Sequence, residues 1–305
     1  MRVFVTGASG HLGSAVVPEL LAAGHQVVGL ARSDVSAAAL AKAGADVRRG
    51  DLDDLDGLRE AAAEADAVVH LAFKHDLMLA GDMATAAEAD LKAIDAFADA
   101  LTCTGKPLVG TSGTLLLALA ALGRTGTEAD TVAGGYRIDA ENKVVGLAER
   151  GIRSSVIRLT PTVHSSLDGS GGFVPALIGI ARQKGVAGYV GDGSNRWPAV
   201  HTLDAARLYR LALESAPAGT RLHAVDDEGV PFRRIAETIG RHLNVPTVGV
   251  EPDQAADHFG FLADLVQLDN PVSSDQTRAL LNWKPTHPGL IDDLDAGHYF
   301  ATTAA

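Results

Sequence analysis

A glycine-rich segment close to the N-terminus has the residue types and spacing that point most directly to chemistry. It reads Thr6-Gly-Ala-Ser-Gly-His-Leu-Gly13 and lies between a β-branched run and an Ala/Leu-rich run. Gly7 permits a tight turn, Gly10 lets the backbone approach a diphosphate, and Gly13 lets a helix pack closely on a strand. The following helix would offer unpaired N–H groups and partial positive charge to phosphates. The spacing predicts a dinucleotide-binding loop; the alternative is a glycine-rich turn that binds nothing.

The residues after the second β-branched run bear on which dinucleotide would bind. A site for NAD places Asp or Glu there, about 20 residues after the loop, to bind the ribose 2′-hydroxyl. This chain has Ala31 at that position, followed by Arg32. A guanidinium matches a 2′-phosphate in charge and bidentate geometry, so the sequence favours NADP over NAD. Asp34 is predicted to cap the next helix, and the alternative for Arg32 is a solvated surface arginine.

Short β-branched runs alternate with Ala/Leu/Glu-rich stretches of helical spacing through residues 1–160. Continuous apolar runs are typical of strands buried on both faces, and regular alternation favours parallel βαβ units. We therefore predict an α/β fold with a doubly wound, mostly parallel sheet. The predicted strands are Val3–Thr6, Gln26–Leu30, Asp46–Arg48, Ala67–Leu71, Pro107–Thr111 and Ser155–Leu159, and the predicted helices are Leu12–Ala23, Val35–Ala43, Leu55–Ala65, Met83–Leu101 and Asp139–Arg150.

The composition of the sequence changes after about residue 160, where glycine and proline become frequent, as in the stretch 168–172. Short helices are predicted at Leu203–Glu214, Phe232–Leu243 and Gln276–Leu281. The sequence thus predicts a dinucleotide-binding unit at 1–160 and a small substrate-binding lobe, mainly 161–305, with some later segments returning to the sheet.

Composition excludes several classes of protein. Hydrophobic residues make up 47% and charged residues 21%, which favours a folded globular chain. The net charge of −12 argues against nucleic acid or an anionic membrane surface as the main partner. Cys103 is the single cysteine, so neither a disulfide framework nor a cysteine-ligated zinc site is expected. Without a long apolar run or a signal-peptide pattern, a cytoplasmic location is expected.

Further motifs resemble those of the short-chain dehydrogenase/reductase superfamily, in the extended or atypical branch that includes the NAD-dependent epimerase/dehydratase family. Besides the loop, they are Gly50-Asp-Leu52, His70-Leu-Ala72, Arg158-Leu-Thr-Pro161, the segment from Tyr189 to His201, and Leu281-Asn-Trp-Lys-Pro285. The resemblance implies a Rossmann sheet and a homodimer formed through the helices of the fourth and fifth strands. The residues predicted to bind the cofactor are Gly7, Ser9, Gly10, His11, Leu12, Gly13, Arg32, Asp51, Leu52, Ala72 and Pro161.

The catalytic pattern of that superfamily, a Ser/Thr with a YxxxK motif, is altered here. Four residues after Tyr136 the chain has Ala140, and Lys143 lies two helical turns away. A better register puts Ala133 at the tyrosine position and Arg137 at the lysine position. An atypical subgroup is similar in having HxxxR there, and this chain keeps the arginine without the histidine.

The serine position is altered as well, because it corresponds to Gly113. Ser112 or Thr114 are predicted to stand in, and the alternative is that both are strand-end hydroxyls that satisfy backbone groups. Arg137 is too basic to donate a proton but could bind the ribose or polarise an oxyanion. Tyr136 could act as the acid if the helix begins irregularly at Gly134-Gly135, and a core or lobe-facing tyrosine is the alternative.

Three histidines, His75, His164 and His201, are weaker acid or base candidates, since a lone histidine is more often structural. No metal site is expected, because no HExxH occurs and the acidic residues near Asp51 fit a turn with a helix cap better.

The leading hypothesis is an NADP-dependent oxidoreductase that acts on a small, partly apolar carbonyl or alcohol, with Ser112, Tyr136 and Arg137 at the site. Apolar residues from Leu115 to Leu122 would form walls of the cleft, or else pack the lobe on the sheet. The alternatives are an NADP-binding regulatory or sensor protein without catalysis, and a sugar epimerase or dehydratase.

Overall fold

The computed structural model describes residues 1–168 and 172–301 and contains twelve named strands. The strands are β1 (Arg2–Thr6), β2 (Gln26–Ala31), β3 (Asp46–Arg49), β4 (Ala67–His70), β5 (Pro107–Gly113), β6 (Arg153–Leu159), β7 (Thr162–His164), β8 (Ala187–Val190), β9 (Arg196–His201), β10 (Thr220–Ala224), β11 (Asp227–Pro231) and β12 (Thr247–Val250). Seven of them form one sheet in the order β10-β6-β5-β4-β1-β2-β3, and all neighbours in it pair in parallel. The order reverses between β1 and β4, so the predicted doubly wound sheet is confirmed.

Helices cover both faces of this sheet. They are α1 (Gly13–Ala22), α2 (Asp34–Lys42), α3 (Leu55–Glu64), α4 (His75–Leu79), α5 (Met83–Leu101), α6 (Leu115–Leu119), α7 (Tyr136–Gly146), α8 (Phe173–Lys184), α9 (Thr202–Ser215), α10 (Phe232–Leu243), α11 (Ala255–Phe259), α12 (Asp275–Leu281) and α13 (Leu290–Asp295). α1, α2 and α9 pack on one face, and α3, α5 and α7 pack on the other. β1 alternates between the two cores, with Val3 and Val5 in one and Phe4 in the other. Within the described residues, no helix is long and apolar enough to cross a membrane.

The main sheet does not end with the first 160 residues. β10 pairs with β6, and α9 packs against α1 on the same face. The indole N–H of Trp283 donates to the backbone carbonyl of Asp204 in α9 at 3.0 Å, which ties the C-terminal part of the chain to the sheet. α9 and β10 therefore belong to the dinucleotide-binding unit, although they follow the first part of the lobe in sequence.

The lobe has a separate apolar core, which includes Trp197 and Phe232. β9 pairs in parallel with β7 and antiparallel with β11, while β8 and β12 form a second, parallel pair. β9 ends at His201 and α9 begins at Thr202, so the lobe strand leads directly into a helix of the main sheet. Part of the predicted glycine-rich stretch, residues 169–171, lies outside the described residues.

The outer faces of α5 and α7 carry charges, not an apolar stripe. Lys143 pairs with Asp95 at 2.6 Å across the two helices, and Lys92 pairs with Glu88 at 2.6 Å along α5. A homodimer through these helices would bury such charged groups, which is costly unless they are re-paired. The homodimer stays a prediction.

Two buried histidines make the stability of this fold dependent on pH. Burial lowers the pKa of His223 in β10, and the nearby Arg158 adds to the effect, so that it falls to about 4. Burial, with the charges of His164 and His287, lowers the pKa of His201 to about 4. Both imidazoles are neutral in the folded protein at pH 6, whereas an unfolded chain begins to bind protons near pH 6.5.

We expect the free energy of unfolding to fall as pH decreases from 6.5 towards 4, by up to about 3 kcal/mol for each histidine. Urea unfolding at a series of pH values measures this. His223→Gln should flatten the pH dependence, because it removes one of the two buried imidazoles. Equal slopes for the wild type and His223→Gln would contradict the assignment.

Candidate functional site

The glycine-rich loop is shaped by close contacts with the end of β4. Gly7 has φ +66°, and a Cβ there would lie 2.8 Å from the backbone nitrogen of Ala72. A Cβ on Gly13 would overlap the carbonyl oxygen of Gly7 and the backbone of Ala8. These two glycines are therefore required by the protein's own packing. A Cβ on Gly10 would approach only the Gly7 carbonyl oxygen, at 3.2 Å, so this position faces open space.

The same loop fits a diphosphate. The backbone amides of His11 and Leu12 donate no hydrogen bond to the described part of the chain, and both stand at the start of α1. Such amides and the positive end of the helix are the usual ligands of a dinucleotide diphosphate. Ser9 is exposed on the outside of the loop. The loop is thus a cradle that a glycine at position 10 keeps open.

A chain of buried polar groups holds the floor of the cleft beside this loop. His70, the last residue of β4, lies 2.7 Å from the Thr6 hydroxyl through Nδ1 and 2.9 Å from Asp90 through Nε2. The second oxygen of Asp90 accepts a hydrogen bond from Arg137 at 2.8 Å. The other end of that guanidinium donates to the carbonyl of Thr111 in β5 at 2.9 Å. β1, β4, α5, α7 and β5 are therefore linked by a single network.

The carboxylate of Asp90, at the centre of this network, is kept ionised by its neighbours. Burial by itself would raise the pKa of Asp90, but the hydrogen bond from His70 and the charges of His70 and Arg137 outweigh it and hold the pKa below its ordinary value. The guanidinium of Arg137 also lies over the ring of Phe73, 4.3 Å from its centroid. Arg137 is thus fixed at the carboxyl ends of β4 and β5, with about a fifth of its side chain exposed (22%).

Tyr136 begins α7, after Gly135, which has φ +137°. The irregular helix start predicted at Gly134-Gly135 is therefore present. Tyr136 is exposed, and α7 starts at the edge where the parallel strands end, because the chain must run back along the sheet to β6. The phenol is accordingly available at this edge, in contrast to a core tyrosine.

Ser112 lies at the end of β5, as predicted, and its side chain points into the protein. Its hydroxyl is buried and donates to Glu141 in α7 at 2.6 Å. Glu141 also pairs with Arg158 in β6 at 2.5 Å and with Arg221 in β10 at 2.9 Å. In this structure the Ser112 hydroxyl proton is therefore engaged by a carboxylate, and its predicted place at the catalytic site stays a prediction. Thr114, the other stand-in, is also buried, and its hydroxyl accepts a hydrogen bond from Asn270 at 3.0 Å.

Asp90 and Glu141 were missed by the sequence analysis, although a signal was present. Asp90 interrupts the apolar stripe that Ala86, Ala93 and Phe97 form along α5, all of which are buried. Glu141 likewise lies among buried positions of α7. An acidic residue inside an apolar stripe is rarely buried without a partner, so each of them pointed to an internal arginine or histidine.

The end of β2 and the start of α2 differ from the prediction in the residue that caps the helix. Ser33, not Asp34, caps α2, because Ser33 and Ser36 exchange hydrogen bonds in a capping box. Asp34 is the first residue of the helix and pairs with Arg49 at 3.1 Å. Arg32 extends from the end of β2 with 73% of its side chain exposed, and its nearest carboxylate, Asp76, is 3.9 Å away.

The remaining predicted contacts lie around the same cleft. Asp51 accepts a hydrogen bond from the amide of Asp53 at 2.8 Å in a turn after β3, and Leu52 is buried next to it. Ala72 donates its amide to Thr6 at 3.3 Å beside the glycine loop. Pro161 follows β6 and is half-buried.

The three candidate histidines have different surroundings. His164 is fully buried and lies 2.8 Å from Asp293, and His201 is buried and stacked on His287, so neither reaches the cleft. His75 packs against Phe73, with ring centroids 5.3 Å apart. Burial and the charge of Arg137 lower its pKa, which keeps the imidazole neutral near pH 7.

The segments that follow the strands at this edge of the sheet, here called the rim of the cleft, carry exposed apolar side chains. Their lysine and arginine side chains are paired with carboxylates. Exposed apolar side chains follow β4, β5 and β7 in turn: Leu79, Leu119 and Leu167. On the segments that follow β4 and β5, Lys74 pairs with Asp53 at 2.5 Å and Arg124 pairs with Asp130 at 2.5 Å. Residues 160–172, after β6, include no Lys or Arg. These segments offer no free cation to a phosphate.

The reversal of strand order beside a glycine cradle defines a Rossmann-fold protein of the short-chain dehydrogenase/reductase type. The profile of the NAD dependent epimerase/dehydratase family matches residues 3–101. An uncharacterized protein of Schizosaccharomyces pombe is 45% identical over 302 residues, which is 98% of this chain and 100% of that protein. The chain belongs to the NAD-dependent epimerase/dehydratase family.

Two further proteins are similar to this chain at lower sequence identity. A ketoreductase of Stigmatella aurantiaca, named for a 4-hydroxy-2-methyl-3-oxo-4-farnesyl-3,4-dihydroquinoline-1-oxide, is 26% identical over 279 residues, covering 85% of this chain and 80% of that protein. A dTDP-glucose 4,6-dehydratase double mutant from Streptomyces venezuelae, solved with NAD bound, superposes with a TM-score of 0.79 at 20% identity, covering 99% of this chain and 98% of that chain. At this identity, the second similarity concerns the fold.

Asp90→Ala should destabilise the protein by about 3 kcal/mol, because it leaves the half-buried Arg137 and the buried His70 without their shared carboxylate. Urea unfolding at pH 7 measures the loss. Lys92→Ala, at an exposed position of the same helix, is the matched control and should change stability by less than about 0.5 kcal/mol. Equal effects of the two substitutions would show that the network does not stabilise the fold.

Proposed function

We propose that this protein is an NADP-dependent oxidoreductase that transfers hydride to or from a small, partly apolar carbonyl or alcohol. The observation that carries the proposal is the open glycine cradle, with the free amides of His11 and Leu12, at the edge of the sheet where the parallel strands end. Membership of a family of nicotinamide-dependent enzymes supports it. A bound nicotinamide would supply the hydride chemistry, and the chain would bind and orient both reactants.

The preference for NADP is argued from charge at the end of β2. Arg32 is largely exposed and only loosely associated with Asp76, so its guanidinium is free to bind a 2′-phosphate. Ala31 offers no carboxylate to a 2′-hydroxyl. Asp34 is engaged by Arg49, which reduces its repulsion of a phosphate in the same place.

The substrate class is argued from the rim of the cleft. A sugar nucleotide carries a diphosphate, and recognition of it would need free cations or amides on the substrate side. Lys74 and Arg124 are already paired with carboxylates there, while Leu79, Leu119 and Leu167 are exposed. The named substrate of the similar ketoreductase is a ketone with a farnesyl chain, which is in keeping with an apolar rim. These features favour an uncharged substrate over the sugar epimerase or dehydratase alternative.

The proton that accompanies hydride transfer is assigned to Tyr136. Its side chain is exposed at the start of α7, whereas Tyr209 is buried against Thr111, and the half-buried Tyr299 donates its hydroxyl to Asp168. Arg137, fixed by Asp90 and the Thr111 carbonyl, would orient the coenzyme ribose or the substrate oxygen. His75 is the second candidate for this proton transfer, because its neutral imidazole, close to Arg137, would take up the proton when an alcohol is oxidised.

A dinucleotide-binding sensor without catalysis is the second candidate function. The altered YxxxK motif and the internal hydrogen bond of Ser112 favour it, since both remove groups on which hydride-transferring relatives would depend. The two functions differ in whether NADPH is consumed, so turnover separates them.

NADPH should bind more tightly than NADH, and Arg32→Ala should weaken NADPH by about tenfold or more while leaving NADH nearly unchanged, because a charged hydrogen-bonded pair with the phosphate is lost. Fluorescence titration measures both constants. Lys42→Ala, at the exposed C-terminal end of α2, is the control and should change neither constant. Tighter binding of NADH by the wild type would contradict the choice of NADP.

Apolar ketones tested with NADPH should be reduced, and Tyr136→Phe should lower kcat by about 10²- to 10⁴-fold with coenzyme affinity unchanged, since only the proton donor is removed. His75→Gln serves as the comparison, and the larger of the two effects identifies the residue that exchanges the proton with the substrate. Turnover that survives both Tyr136→Phe and Arg137→Ala would exclude these residues from the mechanism. NADPH binding without any turnover would favour the sensor.

A further inference from the structure

The lobe touches the glycine cradle at the side chain of His11. His11 lies between Gly10 and Leu12, whose backbone faces the proposed diphosphate site. Its Nε2 is 3.3 Å from the hydroxyl of Thr202 at the start of α9, and its Nδ1 is 3.6 Å from Asp168, beyond β7. A histidine of the coenzyme loop and a carboxylate of the lobe therefore face each other.

The two facing atoms are buried, and each lacks a hydrogen-bond partner. Neither His11 Nδ1 nor Asp168 Oδ1 has a partner within hydrogen-bond distance among the described residues. The other oxygen of Asp168 accepts a hydrogen bond from the hydroxyl of Tyr299 at 3.1 Å. Leaving two buried polar atoms unpaired is costly, and one proton held between them would satisfy both.

The surroundings of this pair keep its protonation sensitive to nearby charge. Only 1% of the Asp168 side chain is exposed. Burial raises the pKa of Asp168 to about 7; the charge of Asp293 adds to this, while the Tyr299 hydroxyl and His164 oppose it. Burial lowers the pKa of His11, although the carbonyls of Leu167 and Val163 oppose the effect.

Further titratable groups lie beside the pair in the lobe, around Asp293 and His164. His164 lies 2.8 Å from Asp293 in α13, and His298 approaches the same carboxylate to 3.8 Å. His201, before α9, packs edge-on to His164, with ring centroids 5.6 Å apart. α9 itself presents the neutral Thr202 to His11. No Lys or Arg faces the pair from these described residues.

We propose that binding of the coenzyme diphosphate at the cradle is coupled to one proton shared by His11 and Asp168, so that coenzyme affinity depends on pH near neutrality. This inference rests on the proposed function. The diphosphate brings two negative charges next to His11, which favours the protonated pair, whereas an ionised Asp168 would repel it. In this step one proton passes from a buffer acid to the pair as the coenzyme binds, and the conjugate base of the buffer remains in solution.

The direction of the effect follows from the protonation of Asp168. The pair holds its proton below about pH 7 and loses it above that value. Because the protonated form binds the coenzyme better, the dissociation constant should rise as pH increases from 6.5 to 8.5, with a limit of about tenfold per pH unit for one proton. Titration with NADH as well as NADPH removes the contribution of the 2′-phosphate, which itself titrates.

Asp168→Asn keeps the shape of the side chain and removes the titration, so its dissociation constant should change little over the same range. Asp46→Asn, at an exposed position of β3, is the matched control and should keep the wild-type slope. Calorimetry of the wild type in two buffers of different ionisation enthalpy measures the protons taken up per coenzyme, without relying on any variant. We expect an uptake that approaches one above pH 7.

Coenzyme binding that is independent of pH and takes up no proton would overturn this inference alone and leave the proposed function intact. A full wild-type slope in Asp168→Asn would overturn it as well. If neither NADPH nor NADH bound at any pH, the proposed function would fail, and this inference with it.

Discussion

The ion pair between Asp90 and Arg137 is the interaction on which the candidate site depends. Each group is too polar to be buried by itself, and each satisfies the other at 2.8 Å. His70 extends the pair to Thr6, directly before the glycine loop, and Arg137 extends it to the end of β5. Since buried partners of this kind are costly to separate, the loop, the two strand ends and the start of α7 keep fixed relative positions.

A second buried network, centred on Glu141, has a related structural role on the other side of the site. It joins Ser112 in β5, Arg158 in β6 and Arg221 in β10 through one carboxylate. The superfamily pattern would use a hydroxyl near Ser112 and a basic residue at the position of Arg137 for catalysis. In this chain both groups make internal hydrogen bonds, with Glu141 and with Asp90, whereas Tyr136 and His75, which we propose for proton transfer, lie outside the two networks.

The lobe completes the site by contact with the coenzyme loop. The end of β7 and the start of α9 meet above α1, where His11 faces Asp168 and Thr202. Tyr299, which follows α13, donates its hydroxyl to Asp168 and holds that carboxylate in place. Burial raises the pKa of Asp168 and lowers the pKa of His11 and of His201 in the same region, so electrostatics connect the packing of the lobe, stability and the glycine cradle.

The sequence by itself determined the sheet, the glycine cradle and the family. Continuous apolar strands and glycine spacing are local signals, and the six predicted strands agree with β1–β6 to within about two residues. It could not determine that β10 joins the sheet or that the Ser112 hydroxyl donates to Glu141, because both depend on partners far apart in sequence. Only the tertiary structure decided which polar side chains are paired inside and which face the cleft. The physical reason is that a charged side chain can be buried only where another group pairs with it, and the local sequence does not specify that partner.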